Sequence, residues 1–253
     1  NRRDASKLHR GHQQLKQLLH LEEMPWEHHL TLSRLIGRSL RRQDRTRIRL
    51  SAGERDRWWL GLLVPLCLKS QDCVLVLDER QRQRFLHVEL PRLRQGGLKL
   101  ACWSGSTAPP GSQLWLLSPA ELVNVHRRRG FKPSHQLIIP EAESLAQHLR
   151  EAMELSIETQ DWDRLRQAYP TAGPALLDLH ERLSRQLFAA SSRSTCDLPM
   201  PGSALVSLRD LIGLLGAAPE PWTELLTLQP SQWASWARLD QHLLQWTWTL
   251  QPL

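Results

Sequence analysis

The amino-acid sequence predicts an α/β fold built on a parallel sheet, and three observations predict it. Short apolar runs alternate with helix-like stretches over residues 47–155. The runs are almost continuously apolar, which is typical of parallel strands that helices cover on both faces. A chain of 253 residues is also long enough to bury one substantial core together with a helical insertion. The five candidate strands are residues 47–50, 74–77, 98–102, 114–117 and 137–139.

Helical periodicity accounts for most of the remaining sequence. Near the N-terminus, leucine and isoleucine recur at helical spacing over residues 30–40 while arginines occupy the other face. Further helices are predicted near residues 58–68, 79–94, 119–128 and 141–155. From 161 to 189 and from 206 to 215 the pattern is helical only. Residues 190–202 are rich in loop-forming residues, so we predict a mobile connection there.

The composition is typical of a basic protein without a membrane-spanning segment. The chain has 33 Lys and Arg against 26 Asp and Glu, a net charge of +7, and such a surface favours polyanionic partners. Its four cysteines contain no CxxC pair, so we interpret them as reduced core thiols rather than a disulfide framework. No apolar run approaches the roughly 20 residues of a membrane span, and no signal-peptide pattern is present. The expected partners exclude a membrane, and the expected location is the cytoplasm.

Two segments carry a resemblance to a known family. Residues 52–59 read AGERDRWW and lead into an apolar helix, in the frame of a phosphate loop of the form AGTGTGKT. Residues 136–145 read QLIIPEAESL, in the frame of a VLVIDEAHNL motif. With about 70 residues between them, these segments resemble the ATP-site motifs of DinG/XPD-type superfamily 2 DNA helicases. In both segments most of the residues that carry the chemistry are replaced.

The resemblance implies a layout for the whole chain. It implies an N-terminal helical segment (1–45), a RecA-like, P-loop NTPase-like α/β core (46–155) and a helical, arch-like insertion (156–229). The last segment (230–253) would return to the core and lead toward a second motor lobe outside this chain. The partner implied is DNA in single-stranded form.

The degenerate phosphate loop is predicted to have lost its nucleotide chemistry. Such a loop needs glycine backbone amides around the phosphates, a lysine, and a Ser or Thr that binds magnesium. Here Arg57 replaces the last glycine, Trp58 the lysine and Trp59 the hydroxyl residue, while Gly53 and Arg55 complete the candidate nucleotide-binding set. We therefore expect no cofactor, with ATP and Mg²⁺ only if the degenerate site still binds them. The alternative interpretation of the two tryptophans is a buried aromatic start to a core helix.

The second motif leaves one candidate catalytic residue, Glu141. In active relatives an Asp orders magnesium and the following Glu polarises water, but Pro140 stands at the Asp position. The alternative is structural, because Pro140, Glu141 and Glu143 also suit a helix N-terminus.

Three arginine clusters are candidates for phosphate contacts. Arg80, Arg82 and Arg84 follow a predicted strand, where the family touches single-stranded DNA. A second cluster precedes the last predicted strand and contains Arg127, Arg128, Arg129 and Lys132. A third, at residues 41–49, is not placed by the resemblance. Ordinary solvated arginine faces are the alternative for all three clusters.

The C-terminal tryptophans are interpreted as packing residues. Trp233 and Trp236 are three apart and would share a helix face. Trp246 and Trp248 would lie on one face of a strand and cover a core or an interface.

Three functional hypotheses follow. The first is a helicase-like motor lobe with an inactive ATP site that binds DNA phosphates. The second is a non-catalytic scaffold or interaction module that keeps the helicase fold. The third is an active ATPase that uses Arg55, Arg57 and Glu141. Salt-dependent DNA binding separates the first from the second, and loss of turnover in Glu141→Gln tests the third.

Overall fold

The computed structural model describes residues 13, 16, 17, 26–51 and 56–253, with backbone alone at 230. The chain divides into two compact units, Asn1–His148 and Leu149–Leu253. Gly53 and Arg55 of the candidate nucleotide-binding set lie outside the described residues, as does about half of the N-terminal helical segment. Within the described part, no helix combines the length and the apolar character needed to cross a membrane.

The first unit contains a four-stranded parallel sheet flanked by helices, which confirms the predicted α/β class. The order across the sheet is β2-β3-β1-β4. Val74 of β1 lies opposite Trp115 of β3 on one side and Leu137 of β4 on the other. The two central strands, β1 and β3, are buried at every position, as their apolar sequences require. The strands are β1 (Cys73–Val76), β2 (Cys102–Trp103), β3 (Leu114–Leu117) and β4 (Gln136–Ile138).

The helices of this unit follow the predicted stretches closely. They are α1 (His29–Arg42), α2 (Trp59–Leu68), α3 (Glu79–Arg84), α4 (Leu90–Gln95), α5 (Pro119–Arg127) and α6 (Ala142–Ala152). The helix predicted over 79–94 is interrupted by a π-helical turn, Phe85–Glu89, between α3 and α4. Pro91 has no backbone N–H to give to the carbonyl four residues earlier, which accounts for a wider turn just before it.

One predicted strand is wrong. Residues 47–50 carry no assigned strand, although their exposure alternates as in a strand. Arg47 and Arg49 are exposed, whereas Ile48 and Leu50 pack against the core of the unit. Alternation records which face of a segment is covered, but a strand also needs a backbone partner, and the periodicity carries no information about that partner.

The second unit is a separate α/β body with an antiparallel sheet in the order β5-β8-β7-β6. Its strands are β5 (Leu155–Ile157), β6 (Thr195–Pro199), β7 (Trp233–Asp240) and β8 (Gln245–Pro252). Its helices are α7 (Thr159–Ala168), α8 (Gly173–Ala190), α9 (Gly202–Leu215) and α10 (Trp222–Thr227). The predicted helices at 161–189 and 206–215 are thus present. The stretch 190–202, predicted as a loop, contains β6, which pairs with β7 along its whole length.

The closing segment differs from its prediction. Residues 230–253 were expected to return to the first sheet, but β8 pairs with β5 and β7 in the second sheet. Trp246 and Trp248 lie on the covered face of β8 and are buried, as predicted for a strand that covers a core. Trp233 belongs to β7 rather than to a helix, so the prediction that it shares a helix face with a neighbour three residues later is wrong.

Candidate functional site: two charged edges of one sheet

The carboxyl edge of the parallel sheet gathers most of the predicted site residues. Since the strands are parallel, β1, β3 and β4 all end at this edge, where α/β proteins usually bind ligands. Two of the helices that start at this edge are capped at their N-termini by side chains of the same segment. Asp78 and Gln81 form a reciprocal capping box at α3, and Ser118 and Glu121 form another at α5. Their first amides are therefore partly occupied within the protein.

A chain of ion pairs links loops at this edge. The Arg80 guanidinium lies 3.1 Å from the Glu141 carboxylate and 3.5 Å from that of Asp56. Arg84 approaches the same Asp56 carboxylate at 3.4 Å and continues to Glu89 at 3.1 Å. We call these groups, together with Arg92, the carboxyl-edge ion-pair chain. It joins the loop before α2 to the loop after β4 by way of α3.

Glu89 is the buried end of this chain. Its side chain is 0% exposed and lies in the π-helical turn, with the Arg84 and Arg92 guanidinium groups at 3.1 and 3.5 Å. Burial raises the pKa of the Glu89 carboxyl, while the hydrogen bond from Arg84 opposes that shift. Arg84 is therefore engaged with a carboxylate that has no access to water.

The three candidate DNA-binding arginines of α3 are all paired with carboxylates. Arg80 and Arg84 belong to the carboxyl-edge ion-pair chain, and Arg82 lies 3.3 Å from Glu121. A phosphate that bound any of them would have to share or displace a carboxylate. The structure therefore weakens the prediction that this cluster offers free cations.

The two tryptophans of the phosphate-loop frame are core residues. Trp58 is 7% exposed and Trp59 is 0% exposed. Their rings stack with centroids 4.3 Å apart at 24°, and Trp59 lies 6.0 Å from the Phe85 ring. Trp58 also accepts the first helical hydrogen bond of α2, from the Leu62 N–H. The buried-aromatic interpretation of these positions describes them well, whereas Arg57 is simply exposed.

Glu141 occupies a structural position at the start of α6. Its backbone has a left-handed φ of 51°, and its carbonyl accepts hydrogen bonds from the Ser144 N–H and hydroxyl, both at 3.0 Å. Its carboxylate is taken by Arg80. Pro140, which the resemblance equates with a magnesium-binding Asp, has no side-chain group that could coordinate a metal ion.

The opposite, amino edge of the sheet carries the second predicted cluster. Helix α5 leaves the carboxyl end of β3 and leads to the amino end of β4, so the residues after it lie at the amino edge. Residues 127–132, the basic loop, contain four cations in six positions: Arg127, Arg128, Arg129 and Lys132. All four are exposed, and none forms an ion pair with a carboxylate of the described chain.

The end of α5 has the hydrogen bonding of a Schellman motif. The Gly130 N–H donates to the Val125 carbonyl at 2.9 Å, and the Arg129 N–H donates to the His126 carbonyl at 3.0 Å. Arg129 takes the left-handed position, with φ of 53°, where glycine is usual. An arginine thus holds a conformation that is unfavourable for residues with a Cβ.

The residues after this motif are also ordered. The Lys132 N–H donates to Nδ1 of His135 at 3.0 Å, and the His135 N–H returns a bond to the Lys132 carbonyl. Phe131 and His135 pack against Trp115 of β3, with ring centroids 5.6 Å away in both cases. Burial lowers the pKa of His135; the Asp72 carboxylate opposes this shift and Lys132 adds to it, and a neutral ring can accept the Lys132 bond.

The sequence indicated both clusters as candidates for phosphate contacts without placing them relative to each other, and the structure puts them at opposite edges of the sheet. The sequence did not predict that carboxylates pair with the α3 arginines. One signal was present, since Ser118 followed three residues later by Glu121 has the pattern of a capping box and puts a carboxylate at the start of α5. Asp56 and Glu89 have no comparable local signal.

No known protein family, curated protein or solved structure matches this chain. Among the described residues, no three His, Cys, Asp or Glu side chains are grouped so that they could hold a metal ion.

Proposed function

We propose that this chain is a non-catalytic lobe of the DinG/XPD helicase type, with a RecA-like core, that binds DNA through phosphate contacts at the amino edge of its sheet. The observation that carries the proposal is the basic loop, in which four exposed cations lack a carboxylate partner in the described chain. Arginine and lysine on ordered backbone are the usual means of holding phosphates without reading sequence. A second motor lobe, outside this chain, stays part of the proposal.

The ion pairs explain why the amino edge is preferred to the carboxyl edge. At the carboxyl edge Arg80 would have to leave two carboxylates, and Arg84 would have to leave the buried Glu89. Exposed pairs are worth only about 0.2–1 kcal/mol each, but removing a partner from a buried charge costs several times more. Cations of the basic loop give up only water and counterions.

The backbone of Arg129 gives independent support. A left-handed conformation costs a residue with a Cβ about 1 kcal/mol or more relative to glycine. Strained positions of this kind cluster at functional sites. An arginine held there by the Schellman hydrogen bonds, beside Arg127 and Arg128, is consistent with a side chain whose charge is used.

Buried indoles support the non-catalytic part of the proposal. Trp58 and Trp59 fill the core at the positions where a phosphate loop has its lysine and its hydroxyl. Glu141 is paired with Arg80 and starts α6, so its carboxylate is committed within the protein. Neither arrangement offers a group that would hold or activate a terminal phosphate.

The test is the salt dependence of single-stranded DNA binding, measured by fluorescence anisotropy. The variant Arg127→Gln/Arg128→Gln removes two cations of the basic loop. The matched control Arg182→Gln/Arg185→Gln removes two exposed arginines of α8, which are paired with Asp178 and Glu181. The slope of log K against log salt is negative, and each phosphate that the protein no longer neutralises should reduce its magnitude by about 0.7. We therefore expect the loop variant to reduce the magnitude of this slope by about 1.4 and the control to leave it unchanged.

Absence of salt-dependent binding by the wild-type chain would overturn this proposal. The scaffold hypothesis would then be favoured, because the pairing of every α3 candidate arginine already removes about half of the expected DNA-binding cations. ATP turnover by the wild-type chain that disappears in Glu141→Gln would overturn the non-catalytic part. We expect no turnover in either protein.

A further inference from the structure

A second basic segment covers the last turn of α1 and the residues after it. Residues 38–49 contain six arginines and one acidic residue, Asp44. Arg41 and Arg42 end the helix, and Arg45 follows in the turn; all three are exposed and form no ion pair with any carboxylate that the structure describes. We call residues 41–45 the α1 turn. Nothing in the sequence alone places it near either predicted DNA-binding cluster.

Helix packing places the α1 turn at the amino edge. Helices α1 and α2 lie side by side and run in the same direction. Near their first turns, a Cβ on Gly61 would approach the Leu32 side chain to 2.9 Å, so glycine is required for this close contact. At their last turns, Nζ of Lys69 donates to the Leu40 carbonyl at 2.7 Å. Helix α2 ends at Leu68, a short segment before β1 begins at Cys73.

Two hydrogen bonds connect this corner to the neighbouring strand starts. The Gln136 N–H, at the start of β4, donates to the Asp72 carbonyl at 2.8 Å. The Ser70 hydroxyl donates to the Ser112 carbonyl, just before β3, at 3.0 Å. The segment between α2 and β1 therefore lies between the α1 turn and the residues that carry the basic loop into β4.

The α1 turn is ordered rather than a loose basic stretch. The Ser39 hydroxyl donates to the Asp44 carbonyl at 3.1 Å and lies 2.8 Å from the Thr46 hydroxyl. The Asp44 N–H also donates to the Ser39 carbonyl, and Gln43 between them has a left-handed φ of 56°. These bonds fix the path of the backbone that bears Arg42 and Arg45.

A purely structural role for Arg41 and Arg42 is already filled by another residue. Cations near a helix C-terminus stabilise its dipole and its free carbonyls. At α1 this is done by Lys69, whose ammonium group donates to the Leu40 carbonyl. Two further arginines beside it add positive charge that the helix end does not require.

We propose that the α1 turn and the basic loop, at the ends of helices that cover opposite faces of the sheet, form one binding footprint across the amino edge, which takes a nucleic-acid backbone long enough to contact both. This inference rests on the proposed function, which it extends to a second set of cations. A mononucleotide or a short oligomer would reach only one of the two clusters, whereas a longer nucleic-acid backbone would reach both. Phosphates contacting Arg41 and Arg42 and those contacting Arg127 and Arg128 then belong to the same molecule.

The experiment compares a thymidine oligomer of about 30 nucleotides with one of about 6, near the lower end of known single-strand site sizes. The variants are Arg41→Gln/Arg42→Gln, Arg127→Gln/Arg128→Gln and their combination. On the long oligomer we expect each double substitution to reduce the magnitude of the salt slope by about 1.4, and the combined variant to reduce it by about 2.8. With a slope smaller in magnitude by about 1.4, the factor by which the variant loses affinity between about 50 and 200 mM salt is about sevenfold smaller than the factor for the wild type. On the short oligomer the two effects should not add.

Two controls separate charge from folding. Arg41→Lys/Arg42→Lys keeps the charge and should keep the slope, and Arg182→Gln/Arg185→Gln should bind as the wild type does. If Arg41→Gln/Arg42→Gln binds the long oligomer like this control while Arg127→Gln/Arg128→Gln is weakened, the footprint is refuted and the proposed function stands. If the wild-type chain shows no salt-dependent binding to either oligomer, the proposed function itself fails.

Discussion

Replacement of Trp59 by alanine tests whether this tryptophan is part of the hydrophobic core or lines a nucleotide pocket. The side chain is 0% exposed and stacks on Trp58, with Phe85 as a third ring of the same group. If the indole fills the core, Trp59→Ala should leave a cavity and lower the free energy of unfolding strongly. If it instead lined a nucleotide pocket open to water, its removal would cost little and would create room for ATP.

The size of the effect follows from the buried area. A buried tryptophan removes roughly 200 Å² from water, which at about 25 cal/mol per Å² amounts to about 5 kcal/mol. Residual burial in the unfolded chain lowers this by about 10–40%, so we expect the free energy of unfolding to fall by about 3–4.5 kcal/mol. Nε1 of Trp59 is buried without a hydrogen-bond partner. Trp59→Phe removes that unsatisfied donor, so it should cost less than half as much.

Urea unfolding followed by far-ultraviolet circular dichroism measures both variants without depending on the deleted fluorophore. Because the chain forms two units, separate transitions are expected, and the destabilisation should fall on the one that involves the first unit. Leu214→Ala is a matched control, since Leu214 is 85% exposed and should change stability by less than about 0.5 kcal/mol. A cost below about 1 kcal/mol for Trp59→Ala, or a gain of ATP binding without any destabilisation, would refute the core assignment.

Three further predictions concern the charged residues. Burial raises the folded-state pKa of Glu89, so the stability of the wild type relative to Glu89→Gln should be highest below pH of about 4 and should fall as the pH rises. Urea titrations at several pH values measure this difference, and a difference that does not change with pH would contradict the prediction. Arg84→Ala should destabilise the protein more than Arg80→Ala, because Arg84 but not Arg80 pairs with a buried carboxylate. Arg80→Ala should cost at most about 1 kcal/mol for each ion pair that is lost. Equal decreases in the melting temperature of the two variants would count against this prediction. Arg129→Gly should stabilise the protein by about 1 kcal/mol while weakening DNA binding, and a destabilised variant would show that the left-handed backbone carries no strain.

The parallel sheet could be predicted because burial on two faces leaves a local signature. The runs that contain β1 and β3 are apolar at four successive positions, which suits a short strand that is covered on both sides. Residues 47–50 lacked that signature, since their apolar residues alternate with Arg47 and Arg49. Alternation of this kind occurs equally in an extended segment that packs one face on a core without pairing.

The destination of the last strands could not be predicted in the same way. The apolar face of β8, with Trp246 and Trp248, indicates that a core is covered but does not say which core. That choice depends on pairing between β8 and β5, whose partners Leu155 and Leu250 are far apart in sequence. It was assigned from the family layout, and the pairing in the structure differs.

The candidate site was predicted as a set of residue types but not as a charge balance. Arginine positions can be taken from the sequence, whereas the carboxylates that meet them come from distant elements: Glu141 follows β4, Asp56 precedes α2 and Glu121 lies in α5. Glu121 and Glu141 meet the arginines because parallel strands bring the following residues to one edge, and Asp56 meets them because α2 starts at that edge. The fold therefore converts a cluster that is basic in sequence into one that is close to neutral in space.

The same topology explains why the basic loop keeps its charge. Helix α5 begins at the carboxyl edge, where its Glu121 meets Arg82, and ends at the amino edge with Arg127 and its neighbours. An acid at the start and cations at the end both stabilise the dipole of α5, so this distribution favours the helix by itself. The two ends of α5 therefore differ in their surroundings. The acidic start pairs with an arginine within the fold, whereas the basic end faces solvent at the amino edge. A polyanion is the partner that would complete that end, and the salt slope measures how many of its phosphates do so.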